Sequence, residues 1–452
     1  MASHIKEFLG AEKPGDYYAA LVEQLKKANG EYHAFNQIDG SVADANNAVP
    51  FSSKANICVK GFETTAGSKM LQGYVPPFNA TVIERMLGDD RFTFIGETGM
   101  DEFGFGTFGT NTEVPAKNAF DSGYAAGGSS SGAAVATALL KYHVALSEST
   151  GGSISTPAAL NGVVGFTPTY GSVSRYGLID YASSLDKIGV MARSGEDIRI
   201  VFDAVRGRDD YDTTCAVQDI RDEKKKKLFV IEELNQYSDK RIHSHFERLL
   251  DTLGEKYEIA TKSIGVLGSA VESYYIIAMA EASTNLAKYN GYKYGLQHIE
   301  PNARYNEFFT EARANFGVEA KRRIILGTFI RSESVKSRYY TKALSVRSMI
   351  IKEMGKVLKE GFIISPTLPV TTPRVSDVKK LTPVQEYAMD IFTVPPSLGG
   401  FPHITFPYQY TDGMPIGAQL VGGQANDYAV IDFATEWESE FDYKYKHNIG
   451  SL

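Results

Sequence analysis

Two short turns rich in glycine and serine constrain this chain more than any other feature of its sequence. The first turn spans residues 127–132 (GGSSSG), and the second spans residues 150–153 (TGGS). An alanine-rich segment with helical character and a short apolar run lie between them. Glycine lets backbone N–H groups approach one point, and serine adds hydroxyl groups there. Two such turns can therefore form a nucleophile and an oxyanion site in one place.

Other structures are also compatible with one of these turns taken alone. Glycine–serine segments most often form flexible loops. A phosphate-binding loop needs a Lys-Ser or Lys-Thr pair after its last glycine, whereas Gly132 is followed by Ala133 and Ala134. The nucleophile elbow of hydrolases needs glycine two residues after its serine, and Ser155 stands at that position after Ser153. The phosphate loop and the elbow are therefore disfavoured.

A catalytic serine needs a base, and both histidine and lysine are available in this chain. None of the eight histidines lies in a recognisable triad motif, and His143, between the two turns, is interpreted as a packing residue. A buried lysine can replace histidine, because burial disfavours the charged form of its amine. Lys54 lies among small and apolar residues in the segment 51–57, which makes it a candidate base.

The order of predicted elements indicates an α/β protein. Residues 228–234 are predicted to be a buried strand, 239–253 a helix and 257–261 a second strand, an order typical of that class. The 452 residues show no internal repeat and no clear linker, which predicts one domain with a possible edge lobe at about 200–265. Irregular chain is predicted at 97–126 and 162–189. Other helices are predicted at 15–29, 80–88, 270–290, 319–332, 334–359 and 427–441, and one is predicted to begin at Ser194.

Charge and cysteine content exclude several kinds of protein. A formal net charge of -7 does not suit a chain that binds nucleic acid by itself. The two cysteines, Cys58 and Cys215, predict neither a disulfide framework nor a metal cluster and suit a reducing compartment. The first residues lack the apolar core of a signal peptide, and no apolar run reaches the length of a membrane span. We therefore expect a cytoplasmic protein, with an organellar location left open.

The two turns together resemble the paired motifs of the amidase signature family, a GGSSGGS-like segment followed by a GGSIR-like one. Here these motifs read GGSSSGA at 127–133 and GGSIS at 151–155. The resemblance extends upstream to 54–61 (KANICVKG), which is similar to KDNI-x-x-KG in the family, and downstream to 163–171. It implies the amidase signature fold over residues 1–452, a central mixed β-sheet covered by helices on both faces.

The resemblance also implies a Ser–Ser–Lys triad and no metal. Ser153 would be the nucleophile, Ser129 the bridging serine and Lys54 the base. Neutral Lys54 would take a proton from Ser129, which takes one from Ser153 as that serine attacks an amide carbonyl and forms an acyl-enzyme. The oxyanion would be held by the backbone N–H groups of Thr150, Gly151, Gly152 and Ser153.

Within the family, the chain resembles the A subunits of tRNA-dependent amidotransferases. The segments that carry this resemblance are 172–178, 181–189, 321–324 and 387–391. It implies that the chain hydrolyses glutamine and passes ammonia to a B subunit, which amidates Glu-tRNA(Gln) or Asp-tRNA(Asn). A small C-type subunit would complete the complex, and ATP and magnesium would bind at the partner, with no cofactor in this chain.

By the same resemblance, Tyr274, Arg323 and Asp390 would hold the glutamine. Arginine forks onto a carboxylate and aspartate pairs with an ammonium, which suits a free amino acid. Without the resemblance, these three residues are better interpreted as ordinary surface or interhelix residues. Two alternatives stay open: a stand-alone amidase acting on a small amide, and a non-catalytic scaffold in a tRNA-handling complex.

Three positions depart from the family pattern. Ala55 follows the lysine where the family usually has aspartate, and Ser149 and Ser155 flank the second turn where it usually has aspartate and arginine. Losing one partner of a buried ion pair is costly, whereas replacing both can be nearly neutral. We therefore predict that Ser149 and Ser155 jointly replace a structural charge pair.

Overall fold

The computed structural model describes residues 3–44, 47–216, 219–296 and 304–440. The strands within these ranges are β1 (Phe35–Ile38), β2 (Val49–Lys54), β3 (Phe92–Thr98), β4 (Val144–Ser149), β5 (Val164–Thr167), β6 (Lys187–Ala192), β7 (Lys227–Ile231), β8 (Glu258–Lys262), β9 (Phe362–Pro366), β10 (His403–Thr411) and β11 (Met414–Val421). The helices are α1 (His4–Gly10), α2 (Tyr17–Tyr32), α3 (Thr81–Leu87), α4 (Ser131–Leu139), α5 (Ser155–Leu160), α6 (Gly195–Val205), α7 (Glu232–Asn235), α8 (Lys240–Leu253), α9 (Ala270–Asn285), α10 (Tyr305–Ala314), α11 (Val318–Arg331), α12 (Glu333–Lys336), α13 (Tyr340–Glu360), α14 (Val375–Val378), α15 (Pro383–Ala388), α16 (Val394–Gly399) and α17 (Asp427–Glu440).

The strands form one mixed sheet in the order β1-β3-β2-β4-β6-β5-β10-β11-β9-β7-β8. Strands β3, β2 and β4 run parallel, as do β9, β7 and β8, and the other neighbours are antiparallel. Every residue of β2, β4, β6 and β9 is buried. Because side chains alternate between the two faces of a strand, both faces of the sheet must be covered. The predicted fold, a central mixed sheet covered by helices, is confirmed.

Two apolar clusters fill the space between the sheet and its helices. One contains residues of α2, α3, α4, α6, α8 and α17, and the other contains residues of α9, α11, α13 and α16. Helix α8 shows how the sequence sets this packing, since Ile242, Phe246 and Leu249 share its buried face. Its first turn is capped by Asp239, which accepts a hydrogen bond from Ile242 N at 2.8 Å.

Most of the predicted helices are present, but three expectations were wrong. The strand predicted at 228–234 ends at Ile231, and the residues after it form α7. The segment 162–189 is not irregular throughout, because it contains β5 and the beginning of β6. The segment 334–359 is not one helix, since α12 ends at Lys336 and α13 begins at Tyr340. Residues 200–265 contribute β7 and β8, which end the sheet on one side. None of the described helices is both long and apolar enough to cross a bilayer.

Candidate active site

Lys54 and Ser129 lie in direct contact at the centre of the molecule. Lys54 is the last residue of β2, and Ser129 lies in the first turn just before α4. The Nζ atom of Lys54 is 2.7 Å from Ser129 Oγ, and both residues are fully buried. The structure therefore brings together two residues that are 75 positions apart in the chain, as the triad requires.

Ser153 lies beside this pair, at the wall of a cavity. It is 7% exposed, whereas Lys54 and Ser129 are 0% exposed. The two turns are joined by a backbone hydrogen bond, which Ser130 N donates to Ser153 O at 3.3 Å. In the described part of the chain, no hydrogen bond joins the hydroxyl groups of Ser129 and Ser153. Catalytic hydrogen bonds are often loose in a free enzyme and tighten when the substrate binds.

The second turn presents its backbone N–H groups where an oxyanion would form. The carbonyl oxygen of Gly151 accepts hydrogen bonds from Ser149 Oγ at 3.0 Å and from Ser397 Oγ at 2.6 Å, which fixes the peptide plane. Within the described ranges, the N–H groups of Gly151, Gly152 and Ser153 donate to no other protein group. A Cβ at Gly151 would lie 2.8 Å from Tyr274 Oη, so this turn needs glycine.

The predicted substrate residues line the same cavity as Ser153. The walls of this narrow cavity include Gly128, Gly152, Ser153, Tyr181, Tyr274, Tyr275, Arg323 and Asp390. A larger cleft lined by Arg221, Lys225 and Asn426 contains none of the predicted site residues. The nucleophile and the three residues predicted for glutamine therefore share one small chamber.

Arg323 enters the cavity from the buried face of α11. Its Nε donates to Glu319 Oε1 at 2.8 Å, and its guanidinium also donates to the hydroxyl of Tyr181. The guanidinium carbon lies 4.6 Å from the ring centre of Phe105 and 5.3 Å from that of Tyr275. Aromatic faces and one carboxylate hold the guanidinium in place, leaving a fixed cation for a substrate carboxylate.

Asp390 provides the opposite charge in this cavity. Its carboxylate accepts hydrogen bonds from Tyr275 Oη at 2.6 Å and from Thr107 Oγ1 at 3.3 Å. Burial raises the pKa of Asp390 to about 6, although the hydrogen bond from Tyr275 acts in the opposite direction. No ion pair joins Asp390 to Arg323 among the described residues. Both side chains can therefore pair with a substrate that has a negative and a positive group.

His143 does not take part in this site, as its interpretation as a packing residue predicted. One ring nitrogen lies 3.1 Å from Thr137 Oγ1 and the other lies 2.9 Å from Ser52 Oγ. Burial lowers the pKa of His143 to about 3, so the ring is neutral. Both nitrogens are occupied, and neither contacts the serines of the triad.

The sequence did not reveal the acidic residues around Lys54. Glu148 on β4 approaches Lys54 Nζ with its Oε2 atom at 2.9 Å, and Asp186 lies next to Glu148 through the hydroxyl of Thr150. Asp101 accepts backbone hydrogen bonds beside the first turn, and burial raises its pKa to about 7. A glutamate within the otherwise small and apolar strand β4 was the signal that could have identified Glu148.

Ser149 and Ser155 make no hydrogen bond with each other in the described ranges. Ser149 Oγ donates to Gly151 O within the turn, while Ser155 Oγ is buried at the start of α5 without a hydrogen-bond partner. Both residues are fully buried, so a charge at either position needs a counter-ion. The joint replacement of a charge pair stays a prediction.

A double-mutant cycle tests this pairing. Ser149→Asp and Ser155→Arg each bury an unpaired charge, and each is expected to lower the free energy of unfolding by about 3–5 kcal/mol. The pairing hypothesis predicts that the double variant recovers most of that loss, because each charge would then supply the counter-ion of the other. Guanidinium denaturation of the four proteins measures the coupling. Losses that simply add would show that the two positions do not form a pair.

Comparison with known proteins identifies close similarities over nearly the whole chain. A sequence model of the family described as Amidase matches residues 19–431. The A subunit of the glutamyl-tRNA(Gln) amidotransferase of Sulfolobus acidocaldarius is 36% identical, over 95% of this chain and 95% of the relative. That of Pseudothermotoga lettingae is 39% identical, over 87% of this chain and 86% of the relative. The crystal structure of the corresponding protein from Thermotoga maritima superposes with a TM-score of 0.80 at 31% identity, covering 96% of this chain and 94% of that one.

Proposed function

This chain belongs to the amidase family, and we propose that it is the glutamine-hydrolysing A subunit of a tRNA-dependent amidotransferase. The observation that carries this proposal is the Lys54–Ser129 contact of 2.7 Å behind a chamber that holds Ser153, Arg323 and Asp390. The proposed base, relay and nucleophile therefore lie next to a cation and an anion, Arg323 and Asp390, that can bind the two charged groups of an amino acid. The relatives that bear this name lend support, because they match most of the chain.

The reaction follows from this arrangement. Glutamine binds with its carboxylate on Arg323 and its ammonium on Asp390, with Tyr274 against the side chain. Ser153 attacks the side-chain amide as its proton passes through Ser129 to neutral Lys54. The N–H groups of the second turn stabilise the oxyanion, where one donor is worth about a hundredfold or more in rate. The proton returns to the amide nitrogen, ammonia leaves, and water releases glutamate from the acyl-enzyme.

The ammonia would be used at a partner. We propose that a B subunit consumes it in the ATP-dependent amidation of Glu-tRNA(Gln) or Asp-tRNA(Asn), and that a small C-type subunit completes a heterotrimer. ATP and magnesium would bind at that partner, and the first turn of this chain is unsuited to a nucleotide. Its residues Ser129 to Ala134 are buried, and the carboxylates Asp101 and Glu148 adjoin it. Both cysteines are free and buried, which is compatible with a cytoplasmic enzyme.

The test is ammonia release by the complex co-purified from its native source, and by the chain alone. We expect release from glutamine, dependence on the partner subunits, and stimulation by ATP with mischarged tRNA. A stand-alone amidase would release ammonia equally well without partners, and from a simple amide such as butyramide that lacks both charges. A scaffold would release none above background from either substrate.

Substrate binding is expected to depend on the ionisation of Asp390. Burial raises the pKa of Asp390 to about 6, so the carboxylate that pairs with the glutamine ammonium is lost as pH falls through that value. The KM for glutamine should rise roughly tenfold per pH unit below about 6, following the ionised fraction. Steady-state kinetics from pH 5 to 8 (roughly the span of this titration) separates KM from kcat.

Asp390→Asn is the matched control for this titration. The amide keeps the shape of the side chain but has no charge, so the variant should have a high KM with no rise between neutral and acidic pH. A wild-type KM that stays constant through pH 6 would contradict the role of Asp390 in binding the ammonium.

A further inference from the structure

A buried chain of hydrogen bonds leads from Lys54 away from the substrate. Lys54 Nζ lies 2.9 Å from Glu148 Oε2 and 3.0 Å from the Glu148 carbonyl oxygen. The other carboxylate oxygen of Glu148 lies 2.8 Å from Thr150 Oγ1, which lies 2.7 Å from Asp186 Oδ1. All four residues are at most 1% exposed. The base therefore contacts a carboxylate in addition to the bridging serine.

The Thr150 hydroxyl shows where the protons lie along this chain. It has one hydrogen and stands between two carboxyl oxygens, so it donates to one of them and accepts from the other. The accepting contact requires a protonated carboxyl group. Asp186 meets that requirement, because burial and then the charge of Glu148 raise the pKa of Asp186 well above its ordinary range. Neutral Asp186 thus donates to Thr150, and Thr150 donates to Glu148, which fixes that side chain beside Lys54.

We propose that Glu148 is a positioning residue for Lys54: its carboxylate holds Nζ against Ser129, and its negative charge beside the base shapes the pH profile of Ser153 reactivity. The proposal rests on the proposed amidase chemistry, in which Lys54 accepts the proton of the relay. Removing a negative charge 2.9 Å from the base should therefore move that pH profile to lower pH.

Glu148 reaches Lys54 from the neighbouring strand of the sheet. Strands β2 and β4 run parallel with Ser53 paired to Leu146, and Lys54 and Glu148 follow that pair on the two strands. Asn56 Nδ2 donates to the same Glu148 oxygen at 3.2 Å and helps to fix it.

Other charged groups also act on this pair. Asp101 faces Lys54 from the segment after β3, and the charge of Lys54 acts to lower the pKa of that carboxyl, against the larger effect of burial. Lys187 on β6 faces Glu148 and Asp186, and burial lowers its pKa to about 7. Glu148 alone among these groups contacts Lys54 Nζ directly, so its substitution isolates the effect of the contact.

The test compares wild type with Glu148→Gln. Both are studied as the full chain or, where the chain is purified together with partner subunits, as that complex. The readout is the rate at which a serine-reactive fluorophosphonate labels Ser153 as a function of pH. Glutamine keeps an oxygen that can accept from Lys54 but removes the charge. The midpoint of the rise in labelling should therefore move to lower pH by about one to two units, with a plateau within about tenfold of wild type. An unmoved midpoint would overturn the proposal.

Two further variants complete the test. Glu148→Asp retains the charge and should restore the midpoint to within about half a pH unit of wild type, since the nearby charge sets it. Asp186→Asn should leave the midpoint unmoved, since Asp186 is already neutral, and this measurement stands even if Glu148→Gln fails to fold. A downward shift of one unit or more in Asp186→Asn would assign the charge to Asp186 and overturn the proposal.

Labelling of Ser153 tests the role of Glu148 independently of whether glutamine is the substrate. If wild type is labelled at Ser153 but releases no ammonia from glutamine, the substrate assignment fails while the role of Glu148 is still measured. Labelling that persists in Ser153→Ala, or its absence from wild type at every pH, would overturn both.

Discussion

Replacing Ser153 by alanine is expected to lower the rate of ammonia release from glutamine by at least about 10⁴-fold. The substitution removes the serine hydroxyl at the cavity wall, next to the free N–H groups of the second turn. Without it no acyl-enzyme can form, and only oxyanion stabilisation and binding remain. Because the side chain is small and lies at the chamber surface, the fold should be retained. Single-turnover ammonia release and hydroxylamine trapping of the glutamyl-enzyme measure the loss.

Ser129→Ala is the matched control for Ser153→Ala. It removes an identical hydroxyl from the same pair of turns but leaves the nucleophile in place, so the expected loss is that of proton transfer, about 10²–10⁴-fold. Labelling at Ser153 should persist, only more slowly. Two results together would assign the nucleophile to a different residue. The two variants would lose the same part of the ammonia-release activity, and hydroxylamine would still trap an acyl-enzyme in Ser153→Ala.

Local patterns predicted most of the helices and the strands β7 and β8. Helix α6 begins after Ser194, whose side chain accepts from Asp197 N, and its apolar residues repeat at helical spacing. Such a signal lies within a few neighbouring residues, so it can be recognised in one sequence. Strand β5 lacks it, because Gly165 interrupts an entirely buried strand and one pairing partner, β10, lies more than 200 residues away. Its formation depends on tertiary packing.

The candidate active site also combines local and long-range features. Lys54, Ser129 and Ser153 could be proposed from the sequence, because each lies in a motif whose spacing resembles that of a known family. Glu148 lies in no such motif, and its contact with Lys54 joins residues 94 positions apart. The aromatic rings around Arg323 come from four separate segments, so no sequence spacing could predict them. A resemblance identifies groups that lie in shared motifs, while side-chain partners outside those motifs emerge only from the three-dimensional structure.

Replacing Lys54 by methionine is expected to abolish activity and also to destabilise the fold. Methionine retains most of the volume of the lysine stem but removes the base, so Ser129 can no longer pass on its proton. It also leaves Glu148 as an unpaired charge that is 1% exposed. Removing one partner of a buried ion pair costs about 3–5 kcal/mol, a large share of the stability of a typical domain. Guanidinium denaturation at neutral pH measures the change in free energy of unfolding.

The double variant Lys54→Met, Glu148→Gln separates the two effects of the lysine. Glutamine removes the orphaned charge while keeping groups that can bond to Thr150 and Asn56, so at least about 2 kcal/mol of stability should return. Activity should stay absent, because no base faces Ser129. The coupling follows from a cycle of the two single variants and the double variant. Additive losses of stability would mean that Lys54 and Glu148 do not pair in solution, and the ion pair could then no longer explain how Lys54 is held against the bridging serine.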